Sequence, residues 1–237
     1  LDTSEWDPDT MGMIDLSGEW EFYWRDFISP IPESDQQAAK SNPIILKQPG
    51  LWNQADIPGS YFPPDGFASL RLVIRIGEKW PQKVAFYILE PANSYRMYIN
   101  GQLAASSGQP GMDQASTLHS LRPRTAEFIR GEQEELEIVL HIANYIDREG
   151  GRKRPIYLGT TNTIKKMRNR RIVSEGLIGG ALLIIGLYNL VLFLVRRNER
   201  LPLAFSVVCF VFGIYALFSG ERLILLFFDI PFELFGK

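Results

Sequence analysis

The sequence predicts an all-β sandwich of the jelly-roll kind followed by α-helical membrane-crossing segments, and three observations carry that prediction. Residues 1–160 hold a series of short segments in which apolar side chains recur at every second position, separated by Pro- and Gly-rich connections. Residues 176–195 and 201–220 are two twenty-residue runs without a charged side chain. The charge balance breaks near the same boundary: residues 1–160 carry 22 acids against 15 Lys or Arg, a net of −7, whereas residues 161–237 carry 5 acids against 10 bases, a net of +5.

The strands follow in order. EWEFYW at 19–24 and IILKQ at 44–48 are short strand candidates. In SLRLVIRI, Leu70, Leu72, Ile74 and Ile76 share one face, opposed by Ser69, Arg71, Val73 and Arg75. KVAFYILE at 83–90 is apolar on both faces, as a strand covered from both sides would be. In SYRMYIN, Tyr95, Met97 and Ile99 alternate with Arg96, Tyr98 and Asn100, and Asn100-Gly101 tolerates the positive φ angles of a type I′ hairpin turn. In ELEIVLHI, Leu136, Ile138, Leu140 and Ile142 oppose Glu135, Glu137, Val139 and His141, and the second face is expected to be wet. PIYLG at 155–159 closes the series, with SPIPESD, IPGSYFPPDGF and SSGQPGMD as connections.

From residue 161 the texture changes. TNTIKKMRNRRIVSE at 161–175 is a polar, helix-compatible linker leading without a breaker into GLIGGALLIIGLYNLVLFLV at 176–195. Twenty residues rising about 1.5 Å each reach roughly 30 Å, the hydrocarbon thickness. LPLAFSVVCFVFGIYALFSG at 201–220 is a second crossing, joined by the loop RRNER at 196–200. Residues 221–237, interrupted by Asp229, Pro231 and Glu233, read as an apolar loop or the approach to a third helix. The expected organisation is a sandwich over 1–160, a linker over 161–175, helices over 176–195 and 201–220, and a chain that is a piece of a longer one, with a leader removed ahead of Leu1.

Composition excludes several classes. An acidic front half lacks the basic footprint of a nucleic-acid partner. Cys209 is the lone cysteine, so neither an intrachain disulfide nor a multi-cysteine metal site is available. No GxSxG, HExxH or Walker pattern is present, His119 and His141 lack metal-ligand spacing, and Glu134-Glu135 reads as a solvated pair. No cofactor, metal or catalytic residue is expected.

Five bases (Lys165, Lys166, Arg168, Arg170 and Arg171) precede the first crossing and three (Arg196, Arg197 and Arg200) follow it. Charge counting alone places the front domain in the cytoplasm. A long domain behind a removed leader translocates regardless of such charges, so the expectation is an inner-membrane, multi-pass protein with its N-terminal domain extracellular or periplasmic and its RRNER loop inside.

Five stretches in order, LSGEWEF, PGLW, GFASLRLVIRI, YRMYINGQLAASSG and LEIVLHIAN, resemble the sugar-binding jelly roll found as the non-catalytic N-terminal domain of glycoside hydrolase family 2 enzymes, a galactose-binding-domain-like fold. Joined to RRIVSEGLIGGALLIIGLYNLVLFLVRRNERLPLAF, and with IANYIDREGG and SGERLILLF, the whole chain resembles the bacterial seven-transmembrane receptors with diverse intracellular signalling modules (7TMR-DISM). The resemblance implies an extracellular sensor that binds a carbohydrate or related small molecule. It also implies further helices, and a cytoplasmic output module such as a histidine kinase, a cyclase or a serine phosphatase. The alternatives are a membrane-tethered binding module without signalling and a glycosidase module elsewhere in the full gene.

A sugar site needs rings to stack on and planar polar groups to hold hydroxyls. Candidates are Arg71, Arg96, Tyr98 and His141 on the wet face, and Trp52, Tyr61, Phe62 and Tyr145 in loops. The competing reading makes Trp20, Trp24 and Trp52 core anchors and the arginines solvated or ion-paired. Gly176 and Gly180 form a small-xxx-small pattern for helix packing, within the bundle or in a homodimer, and Asn189 is placed to hydrogen-bond across helices. Arg148, Arg152, Lys153 and Arg154 suit lipid headgroups, the outer loops of the membrane helices, or solvent.

Overall fold

The computed structural model describes residues 1–31, 42–88, 94–120 and 124–224. They divide into two compact units, one from Leu1 to Ile164 and one beginning at Lys165. The expected turn at Pro91, the end of KVAFYILE and most of 221–237 lie outside the described residues.

The first unit contains, in order, β1 (Asp2–Thr3), α1 (Pro8–Met11), β2 (Ile14–Asp15), β3 (Gly18–Trp24), β4 (Ile44–Gln48), β5 (Gly50–Leu51) and β6 (Gly66–Ile76). It continues with β7 (Lys83–Ile88), β8 (Ser94–Ile99), β9 (Gln102–Ser107), β10 (Arg124–Ile129), β11 (Glu135–Asn144), β12 (Gly151–Arg152) and β13 (Ile156–Thr160). Among the described residues one sheet runs β4-β3-β6-β11-β8-β9, with β1 alongside β6, and a second runs β10-β7-β13-β2. From β6 onward the long strands alternate between the sheets in all but the β8–β9 hairpin, the chain path of a jelly-roll sandwich.

Period-two patterning explains the core. Leu70, Leu72 and Ile74 of β6 and Leu136, Ile138, Leu140 and Ile142 of β11 pack against Val84, Phe86 and Ile88 of β7 and Ile156 and Leu158 of β13. Fully burying each such side chain stabilises the fold by about 1.5–3 kcal/mol. Ala85 and Tyr87, on the other face of β7, are buried too, as its doubly apolar sequence predicts. Each core indole has a partner for its N–H: Trp20 donates to Leu16 O at 2.9 Å and Trp80 to Thr3 O at 3.0 Å. The β8–β9 turn has φ of 45° at Asn100 and 81° at Gly101, the two positive values a type I′ turn requires.

The outer face of the large sheet departs from expectation. It is not simply wet, because residues 25–31 fold back across it after β3. Ser69 Oγ donates to Asp26 O at 2.7 Å and accepts from the Ile28 amide at 3.1 Å. Ile28 forms a small second core with Tyr23 and Val139, flanked by Tyr98. Ser69 and Val139 are therefore buried although alternation assigns them to solvent.

The helices are α2 (Thr161–Val195) and α3 (Leu201–Phe218). Thr160 starts α2 by accepting the Thr163 amide on Oγ1 at 3.1 Å, a side-chain cap. Pro202 sits in the first turn of α3, where its missing N–H is harmless. The second helix stops at Phe218 rather than Gly220, since Ser219 is extended and Gly220 has φ +57°.

Within the second unit the two helices approach at small residues other than those expected. A Cβ on Gly179 would lie 3.1 Å from Leu217 and 3.4 Å from Gly213 O, and one on Gly213 would lie 3.1 Å from Leu183. Ser206 donates to Gly186 O at 2.8 Å and Cys209 is buried beside it. Among the described residues a Cβ on Gly176 would meet Leu223 at ordinary contact distance, and one on Gly180 would meet open space. Asn189 donates to Ile185 O of its own helix at 2.9 Å, so its amide is satisfied one turn back rather than across helices. Beyond Phe218, Glu221 is buried, pairs with Arg168 Nε at 3.1 Å and donates its amide to Glu175 at 3.0 Å.

Candidate ligand-binding face

Four of the six principal ligand candidates lie on the outer face of the large sheet because β3, β6, β11 and β8 are neighbours. Arg71 stands in register with Glu21 on one side and Val139 on the other, and His141 with Ser69 and Arg96. Non-sequential strand neighbours bring these residues together, so linear spacing conceals the grouping.

Arg71 is the hub of an ion-pair chain. Its Nε donates to Glu137 Oε1 at 2.5 Å and its Nη1 to Glu21 Oε2 at 2.9 Å, while Tyr23 OH donates to the same Glu21 oxygen at 2.8 Å. Burial pushes the Glu21 carboxyl up, but the hydrogen bonds from Arg71 and Tyr23 outweigh it and hold the group below its ordinary value. Tyr23 is pushed up to about 12, by burial first and then by its bond to Glu21 and that carboxylate's charge. Burial opposes the Arg71 charge, yet Glu137 and Glu21 raise its pKa further. Arg71 is thus ion-paired, the competing expectation for it.

Beside this chain lies a cleft of about 590 Å³ lined by Ile31, Arg71, Val73, Asn100, Gln133 and Glu134, with Glu135 and Glu137 completing its wall. Asn100 sits at its edge, fixed by accepting the Glu137 amide on Oδ1 at 2.6 Å and by a hydrogen bond to Gln133. Planar amides and carboxylates beside the apolar side chains of Val73 and Ile31 suit a polar small molecule. Asn100, Gln133 and Glu137 escaped the sequence reading, since Asn100 looks like a turn residue and the glutamates look solvated.

His141 lies further along the same face. Its ring stacks on Phe27 at 4.8 Å and leans against Tyr98 at 5.1 Å, and Nε2 is 2.8 Å from Ile28 O. A carbonyl only accepts, so Nε2 carries the proton. Burial lowers the His141 pKa, and the charge of Arg96 lowers it further; the Ile28 carbonyl and Asp26 pull the other way.

The loop candidates separate. Trp52 is a core residue at 1% exposure, its ring against Phe22 and Trp24 and its N–H on Pro63 O at 2.9 Å. No face of its indole is open to stack on a ligand. Phe62 joins the same cluster. Tyr61 is 82% exposed. Tyr145 donates its hydroxyl to Met112 O. The basic loop is not simply solvated: Lys153 pairs with Asp147 at 3.0 Å and Glu149 at 2.6 Å, and Arg152 is buried. Among the described residues no group of three or more His, Cys, Asp or Glu is placed to hold a metal ion.

The β-sandwich is followed by two helices long and apolar enough, by length and composition, to cross a bilayer. Residues 171–237 match the family described as 7TM diverse intracellular signalling, so the receptor resemblance holds over that stretch. No curated protein matches the sequence.

Similar solved structures include a β-glucuronidase from an uncultured Clostridium sp. (13% identity, TM-score 0.46, covering 62% of this chain and 28% of that one). Others are a family 2 β-galacturonidase from Eisenbergiella tayi (14%, 0.42, 62% and 24%) and a β-glucuronidase from Faecalibacterium prausnitzii (12%, 0.46, 62% and 31%). The chain spans less than a third of the length of each of these enzymes.

Proposed function

We propose that this chain is the ligand-sensing domain and first membrane segment of a bacterial transmembrane signalling receptor, with the sandwich outside the cytoplasm. The observation that supports it most is the match of residues 171–237 to the 7TM signalling family in a chain whose preceding residues form a sandwich with a polar cleft. The ligand is a carbohydrate or related small molecule held at the cleft beside Arg71, with Arg96, Tyr98 and Tyr61 as further contacts. Trp52 and His141 serve the fold around it. No chemistry on the ligand is proposed for these residues.

Sensing requires a ligand that favours one of two arrangements of the domain. The covalent route for that difference is α2, which follows β13 with no intervening residue. An output module of the same protein on the cytoplasmic side would receive it.

The test is a glycan array probed with the full chain in lipid nanodiscs, wild type beside Glu134→Gln and Asn100→Ala. Binding that both substitutions weaken supports the cleft; binding indifferent to them places the ligand elsewhere, and no binding to any sugar removes the carbohydrate reading. Protease added to intact cells tests orientation: a front domain that survives until the inner membrane is opened contradicts the outside placement.

A further inference from the structure

Residues 25–31 form a strap across the outer face of the large sheet, and several of its contacts converge on Phe67, Ser69 and His141. The Arg25 amide donates to Phe67 O at 2.9 Å, and Ser69 ties Asp26 and Ile28 by the two hydrogen bonds described above. Phe27 sits between Phe67 at 4.8 Å and the His141 ring at 4.8 Å. His141 Nε2–H donates to Ile28 O, and Ile28 packs on Tyr23 and Val139. His141 therefore touches the strap twice, by stacking and by hydrogen bond, and Ile31 at the strap's end lines the cleft.

We propose that this strap is an acid-weakened latch: neutral His141 holds it most firmly, and protonation of His141, which places a charge in that half-buried site beside Arg96, raises the open fraction of residues 25–31 and of the Ile31 side of the cleft. The consequence for the cleft rests on the ligand-binding reading above; the opening of the strap does not.

The charges around the ring set the direction. Arg96, its cross-strand partner on β8, opposes a second positive charge, Asp26 on the strap favours one, and Ser69 on β6 and the Phe27 and Tyr98 rings bring no formal charge. Burial is the largest influence and disfavours the charged ring. Once the strap lifts, the imidazole regains water, which also screens Arg96, and returns toward its ordinary value of about 6.5. The closed state thus holds the lower pKa and binds fewer protons than the open state. Latch stability is complete above about pH 6.5, falls as the pH drops below it, and levels off below the closed-state value.

Hydrogen exchange on the full chain in nanodiscs, without ligand, reads this directly. Protection factors, which correct for intrinsic exchange, are measured at the Arg25 and Ile28 amides at about pH 7.5 and about pH 5, with β11 amides as the control for global unfolding. The expected result is a loss of strap protection of up to about tenfold for each unit separating the two pKa values, with β11 unchanged. His141→Gln keeps a side-chain N–H donor but cannot titrate, and its strap protection should not depend on pH. Arg96→Gln leaves the histidine in place, raises the closed-state pKa and should shrink the loss. Equal strap protection at both pH values in the wild type overturns the proposal, as does an undiminished loss in His141→Gln or in Arg96→Gln. Absence of any glycan binding, with the latch response intact, would instead count against the ligand reading alone.

Discussion

Replacing Trp52 by Ala separates a core role from a ligand role. The indole is 1% exposed, lies 5.5 Å from the Trp24 ring and 6.2 Å from Phe22, and donates to Pro63 O at 2.9 Å. A Cβ on Gly150 would come within 2.3 Å of the ring, so the backbone is already packed on it and there is no slack to refill the void. Large-to-small core substitutions of aromatic residues cost about 3–5 kcal/mol, and the stranded Pro63 carbonyl puts this one toward the upper end. With a urea dependence of about 1–3 kcal/mol per molar, the unfolding midpoint of the sandwich falls by roughly 2 M. The assay is urea unfolding of the full chain in nanodiscs, followed by far-ultraviolet circular dichroism at the β-sheet minimum. A loss below about 1 kcal/mol would refute the core assignment; an unchanged midpoint with abolished glycan binding would return Trp52 to the ligand site.

Gly150→Ala places a methyl against the Trp52 ring and Pro64 O, and overpacking of that kind should destabilise the sandwich by about 1–3 kcal/mol and so lower the same midpoint. Gly213→Leu forces apart α2 and α3 where Gly213 faces Gly179 and Leu183, and amide exchange across residues 179–186 should accelerate relative to wild type; unchanged exchange would mean the glycines do not set the helix spacing. The Glu21 carboxyl, held below its ordinary value, contributes stability that is full above about pH 4.3 and is lost as the pH falls through its folded value. Glu21→Gln should flatten that acid limb of the urea midpoint against pH. Tyr23 behaves oppositely: with its pKa pushed up to about 12, its contribution is full below about pH 10 and is lost as the pH rises through 12, and Tyr23→Phe should remove that alkaline limb.

Much of the architecture was legible because it depends on local pattern. Alternation located β6, β8 and β11, the short runs EWEFYW, IILKQ and PIYLG marked β3, β4 and β13, Asn100-Gly101 announced its hairpin through the φ values it tolerates, and the uncharged runs announced α2 and α3. The face of the sheet was legible only in part. Ser69, Val139 and His141 follow the solvent phase of their strands, and nothing within those strands says that Phe27 and Ile28 return to cover them. Gly176 and Gly180 have suitable spacing, yet the helix faces meet along Gly179, Gly186 and Gly213, since which stripe of a uniformly apolar helix turns inward is chosen by its neighbour.

What residue order alone determined is the set of properties that reside in periodicity and chemistry along the chain: which segments are strands, where hydrocarbon-length helices lie, and the family resemblance of residues 171–237. The tertiary structure decided which side chains became neighbours. Glu21, Arg71 and Glu137 are joined across β3, β6 and β11, and His141 is latched to a loop more than a hundred positions upstream. The physical reason is that hydrogen-bond pairing of non-consecutive strands sets distances in space that sequence separation does not encode, and burial then changes what each of those groups does.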